Sequence, residues 1–125
     1  MKKKIETLLA PQAIGPYSQA IEANGMVFTS GQIPIDPEQG KIAAETIEEQ
    51  AEQVMKNLQA VLAAASVGFD HVVKTTCFLA DLGDFAAFNA VYGKYFPGDA
   101  PARSCFAVAG LPMGAKLEVE MIAVK

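Results

Sequence analysis

Histidine is almost missing from this chain, His71 being the only one, and cysteine occurs twice, at Cys77 and Cys105. One imidazole excludes a histidine-based triad and a histidine zinc site. The two thiols lie inside alternating, strand-like runs at no metal-ligand spacing, so they read as free thiols of a reducing compartment. Positive charge is scarce as well: ten Lys and Arg against fourteen Asp and Glu leave a net −4. No basic run follows Lys2-Lys3-Lys4. Because backbone binding needs a positive surface, nucleic acid is not the expected main partner. No apolar run reaches the length of a membrane span, and Glu6 and Gln12 interrupt any signal-like core after the lysines. A cytoplasmic protein without a membrane partner is the expectation. No repeat and no low-complexity linker divides the chain, so residues 1–125 read as one domain, long enough to bury its own core.

What is present is strong periodicity. Thr46-Ile47-Glu48-Glu49 is a capping box, and the apolar stripe Ile47, Ala51, Val54, Met55, Leu58, Val61, Leu62, Ala65 predicts a helix that Gly68 stops. A second helix follows Asp81, with Phe85, Phe88, Val91, Tyr92, Tyr95 and Phe96 inward and Pro97 ending it. Ile5 to Leu9 is a candidate edge strand. Two strand-like runs, Tyr17–Ala23 and Met26–Ser30, flank Asn24-Gly25, a strong hairpin signal. A loop from Gly31 to Gly40 comes next, and His71 to Leu79 alternates as a further strand. The order β-β-β-α-β-α-β-β predicts an α+β fold, a two-layer sandwich with two helices on one face of a six-stranded sheet. Apolar residues such as Ile122, Val124 and Phe78 fall on the other face, so an oligomer closing over it is expected.

The last two strand patterns carry the chemistry. Pro101–Val108 and Leu117–Val124 alternate on either side of the Gly/Pro-rich Gly110–Gly114, which predicts a hairpin. Period two then groups Phe106 and Val108 with Leu117, Val119 and Met121. It puts Arg103 and Cys105 on the opposite face with Glu118 and Glu120. A guanidinium, a carboxylate and a thiol on a half-apolar surface form a candidate site for a small anion. The plain alternative is an inter-strand ion pair.

Several motifs in fixed order resemble one family. They are Gly15-Pro16-Tyr17-Ser18-Gln19-Ala20, Ser30-Gly31-Gln32-Ile33-Pro34, Asn57-Leu58, Asn89 with Tyr92, Pro101-Ala102-Arg103, and Leu117-Glu118-Val119-Glu120. Together they resemble the reactive-intermediate deaminase family, known as RidA and YjgF, over nearly the whole chain. The resemblance implies a chorismate-mutase-like fold and a homotrimer with sites in the clefts between subunits. It also implies hydrolysis of 2-imino acids to 2-oxo acids and ammonia, with no metal and no other cofactor. Arg103 would hold the substrate carboxylate, Glu118 would position the water, and Tyr17, Ser30, Gly31, Asn89 and Cys105 would line the substrate site. Gly110 and Met113 depart from the basic residues frequent in relatives.

Each assignment has a plainer counterpart. Glu118 and Glu120 share a face, and only motif position selects Glu118. Cys105 can be a small buried strand residue, Tyr17 a packing residue of its loop, Asn89 a helix-surface amide and Ser30 the last residue of a strand. Gly31 suits close backbone approach by a ligand. A non-catalytic trimer binding 2-oxo acids through Arg103 is the competing function. An RNA-cleaving role fits poorly with an acidic chain holding one histidine.

Overall fold

The computed structural model describes residues Met1–Lys125. Eight strands and two helices follow in the order β1 (Lys3–Ile5), β2 (Ala20–Ala23), β3 (Met26–Thr29), β4 (Ile35–Asp36), β5 (Lys41–Ile42), α1 (Ile47–Ala64), β6 (Val72–Leu79), α2 (Phe85–Tyr92), β7 (Ala102–Ala107) and β8 (Leu117–Val124). Six of the strands form a mixed sheet ordered β1-β2-β3-β8-β6-β7. Both helices cover one face, so the α+β sandwich stands as the sequence predicts. The loop expected from Gly31 to Gly40 instead carries β4, which pairs with β5 immediately after it. The strand expected from Tyr17 begins only at Ala20, and the first edge strand ends at Ile5.

Local chemistry explains the secure elements. Asn24 and Gly25 both have positive φ, 52° and 73°, which is the two-residue turn that Asn-Gly favours. The Thr46 hydroxyl accepts from the Glu49 N–H at 3.1 Å, and Glu49 accepts in return from the Thr46 N–H at 3.3 Å. The end of α1 differs from expectation. Ser66, not Gly68, takes the left-handed conformation, with φ 63°. The Ser66 and Val67 N–H groups bond back to the Ala63 and Leu62 carbonyls, and buried Val67 and Leu62 complete the cap.

The predicted C-terminal hairpin does not form. β7 pairs in parallel with β6 at the sheet edge, Thr75 opposite Arg103 and Cys77 opposite Cys105. β8 enters between β3 and β6, antiparallel to both. The reason is the crossover: α2 separates β6 from β7, and a helical connection joins strands in parallel. Residues 108–116 then step over the end of β6, where Val108 N–H bonds the Leu79 carbonyl and Ala80 N–H bonds that of Lys116.

This topology reverses half of the predicted face assignment. Leu117, Val119, Met121 and Ala123 are buried against the helices, as expected. Side chains in register share a face, so Arg103 and Cys105, beside Thr75 and Cys77, also lie on the helix side. Phe106 is in register with Phe78 and Glu118 and belongs to the open face. Arg103 and Cys105 therefore do not share a face with Glu118 and Glu120. The open face carries Phe28, Phe78, Phe106, Ile122 and Val124, and Phe78 and Phe106 meet edge-on at 5.4 Å between centroids. Phe78, Ile122 and Val124 fall there as alternation predicts, whereas Phe106, expected on the opposite face, joins them through the β6–β7 pairing.

Candidate functional site

The predicted residues gather into two groups rather than one. The first surrounds Arg103 on β7. Its Nη1 donates to Asn89 Oδ1 of α2 at 2.7 Å. Its guanidinium lies 4.9 Å from the Tyr92 ring centroid and 5.4 Å from that of Phe85. Phe85, Asn89 and Tyr92 recur at i, i+4 and i+7 along α2, so one helix stripe presents an amide and two ring faces to one cation. Tyr92 is itself fixed by a 2.8 Å hydrogen bond between its hydroxyl and that of Thr75, both buried. The guanidinium carries five donors, and Asn89 takes up one side of the fork, which leaves the rest for a carboxylate. Arg103 forms no ion pair in the chain, so the inter-strand Arg–Glu pair is absent.

Cys105 lies half-buried in this group, and Cys77 beside it is fully buried. Burial raises the Cys77 thiol to about 12 and also raises Cys105, against a smaller opposing effect of Arg103. Both are thiols at neutral pH, which argues against nucleophilic chemistry at Cys105.

The second group lies around Glu118 on the other face. β3 and β8 pair as far as Phe28 opposite Ile122 and meet again at Gln32 opposite Val119. Three residues, Thr29 to Gly31, thus face two, Glu120 and Met121, which makes a bulge. The Thr29 hydroxyl replaces the missing ladder contact by accepting from the Met121 N–H at 2.9 Å. Bulging turns the backbone of Ser30 and Gly31 toward Glu118. A Cβ on Gly31 would collide with the Glu118 carboxylate and displace it, so glycine here leaves that carboxylate its place rather than serving an unusual φ. The Ser30 hydroxyl donates to the Ser18 carbonyl and ties the Tyr17 loop to the bulge.

Together these segments wall a cavity of about 920 Å3, lined by Tyr17, Ser30, Gly31, Met113, Glu118 and Glu120 among others. Glu118 is half-buried and Glu120 exposed. Burial, and then the neighbouring Glu120 charge, holds the Glu118 carboxyl above the usual carboxylate range. Period two could not separate the glutamates; burial does.

Several contributors lay outside the sequence reading. In sequence Asn57 is marked only by its motif with Leu58. On α1, at 1% exposure, its Nδ2 donates to the Ile35 carbonyl at 2.9 Å and the Ile33 carbonyl at 3.3 Å. It thereby pins the segment that follows Gly31. Gln19, at 3% exposure, bonds the Thr7 N–H at 2.7 Å and the Pro11 carbonyl at 2.7 Å, which fastens the loop before Tyr17. Helical spacing sets Phe85, Asn89 and Tyr92 on one stripe, while in sequence Asn89 reads equally as a helix-surface amide. The Asn57 and Gln19 contacts, long-range in sequence, had no such signal.

Known proteins resemble this chain in sequence and in fold. A profile of the endoribonuclease L-PSP family matches residues 7–125. The Mus musculus 2-iminobutanoate/2-iminopropanoate deaminase is 46% identical over 125 residues, covering 100% of this chain and 93% of that protein. A Lactococcus lactis protein that carries a regulator's name, AldR, is 53% identical over 121 residues, covering 97% and 96%. Among solved structures, E. coli TdcF with bound serine superposes with a TM-score of 0.94 at 46% identity, covering 98% of both chains. The E. coli YjgF gene product superposes at 0.93 with 44% identity, again covering 98% of both. Matched over nearly its whole length in sequence and in fold, the chain belongs to the endoribonuclease L-PSP family, the RidA/YjgF group of reactive-intermediate deaminases.

Proposed function

We propose that this protein hydrolyses 2-imino acids to 2-oxo acids and ammonia at sites completed by two copies of the chain in a homotrimer. The observation that carries the reading is the separation of complementary halves by the sheet. The helix side offers a preoriented guanidinium with no carboxylate paired to it. The open side offers a raised carboxyl beside a bulge, in a cavity lined by no lysine or arginine of the same chain. Arg103 stands on the edge strand β7, where a second copy can reach it. The open apolar face supplies a surface for such a copy to cover.

In this reading Arg103 grips the substrate carboxylate and so orients the C=N carbon. Glu118 of the neighbouring copy takes a proton from a water, the oxygen bonds to the imine carbon, and a tetrahedral aminoalcohol forms. The proton passes from Glu118 to the nitrogen. Glu118 then takes the hydroxyl proton and hands it to the same nitrogen as the C=O bond forms and the C–N bond breaks, so ammonia leaves and imine plus water gives 2-oxo acid plus ammonia. A carboxyl raised above its ordinary range is better matched to neutral-pH proton transfer than an exposed one. The relatives bearing the 2-iminobutanoate/2-iminopropanoate deaminase name support small 2-imino acids as substrates. RNA cleavage, which the family's description invites, is less well supported: His71 is paired with Asp70 on the surface, and the net charge is −4.

The test generates 2-iminopropanoate in place with an amino-acid oxidase and follows its decay with and without the protein. We expect faster decay with the protein and none of the acceleration with a folded Arg103→Ala variant, which loses about 2–5 kcal/mol of transition-state binding. Binding of pyruvate without faster imine decay would instead support a ligand-binding trimer.

A further inference from the structure

We propose that Met113 is a specificity-determining residue, selecting 2-imino acids with extended apolar side chains over acidic ones; this rests on the deaminase reading above and names the substrate class of that site. Three observations converge on it. Met113 is held in the left-handed conformation, φ 58° and ψ 23°, where a side chain is disfavoured. It is 57% exposed yet lines the cavity that contains Glu118. It also does not stand alone: Ile14, Ile33 and Ile35 line the same cavity, so apolar side chains share its wall with the two glutamates.

The chemistry follows from what those walls offer. In a single copy the cavity measures about 920 Å3, far more than a three-carbon imino acid fills, so the wall that carries Met113 extends beyond the reacting carbon. An unbranched thioether with three rotatable bonds adapts to side chains of different shapes. An acidic side chain would meet Glu118 and Glu120, with no lysine or arginine of this chain on the wall to offset them. Extended apolar side chains gain burial there, and carboxylate side chains are repelled.

The experiment compares the intact protein with Met113→Gly and Met113→Lys on imines made in place from leucine, alanine and glutamate by amino-acid oxidases. Glycine suits a φ of 58°, so Met113→Gly removes the side chain without threatening the fold. We expect the ratio of kcat/KM for the leucine imine to that for the alanine imine to fall about tenfold in Met113→Gly. Met113→Lys should raise the glutamate-to-alanine ratio. An unchanged leucine-to-alanine ratio in Met113→Gly overturns the proposal. If the intact protein hydrolyses no imine, the deaminase reading falls, and calorimetry decides the preference separately. Weaker binding of the leucine-derived 2-oxo acid to Met113→Gly, relative to pyruvate, then supports a selective Met113, and an unchanged relative affinity overturns it.

Discussion

Two glutamates two positions apart on one strand differ in burial, and that difference sets their chemistry. Glu118 packs against the Gly31 backbone and is half-buried, while Glu120 is exposed beside it. Burial favours the protonated form of Glu118 and the like charge of Glu120 adds to it, so its carboxyl titrates above the ordinary 4.5. A base must be deprotonated to take a proton from water, so activity should rise with pH through that elevated value. We expect Glu118→Gln to lower kcat by roughly 10²–10⁴-fold and to abolish the acid limb of the pH–rate profile. Glu120→Gln should retain most of the activity and move the limb downward, because a repelling charge is gone. A larger loss at Glu120 would reverse the assignment.

At the scale of elements, the cavity wall beside Glu118 is a β-strand interruption held by a helix. The bulge from Thr29 to Gly31 turns the backbone toward Glu118, and Asn57 of α1 holds the following segment by two carbonyls. Gln53 in turn donates to Asn57 Oδ1 at 2.9 Å, so the buried amide is satisfied on both sides. We expect Asn57→Ala to cost about 1–3 kcal/mol in denaturant unfolding, since the carbonyls of Ile33 and Ile35 lose their donor. A fall in kcat without a comparable rise in KM for the folded variant would tie the clamp to the Gly31–Glu118 geometry. A change in stability with unaltered kinetics would leave Asn57 a purely structural residue. On the other side of the sheet, α2 does the equivalent work for Arg103 with Asn89, Phe85 and Tyr92.

For the whole molecule, the decisive fact is that one sheet stands between Arg103 and Glu118. If each site joins Arg103 of one copy to Glu118 of another, two inactive variants should rescue one another. Mixing Arg103→Ala with Glu118→Gln, after dissociation and reassembly, should restore about a quarter of the wild-type activity. That is the share of interfaces pairing two intact halves. No recovery from verified mixed assemblies would mean that both groups act within one copy or that one is not needed. Sedimentation equilibrium should give a trimer mass at micromolar concentration, with the Phe28, Phe78 and Phe106 face covered; a fully active monomer would contradict the shared site.

Local pattern was enough for everything that depends on neighbours along the chain. The Thr46–Glu49 capping box, the α1 stripe, the Asn24-Gly25 turn and the alternation of β8 are set by residues within a few positions of one another, and each appears where its pattern predicts. Motif order also sufficed to identify the family, because an ordered set of short signatures is specific even where each one is weak. Strand pairing was different. Nothing local in Pro101–Val108 reveals that β6 will lie between β7 and β8, and a hairpin was the natural reading of the Gly/Pro-rich connector. A shift of neighbour moves a strand's whole side-chain set to the other face, so this one undetermined pairing carried Arg103 and Cys105 away from Glu118. Which glutamate is buried, and which amides clamp the wall beside it, likewise depended on contacts between segments far apart in sequence, and only the tertiary structure brings those segments together.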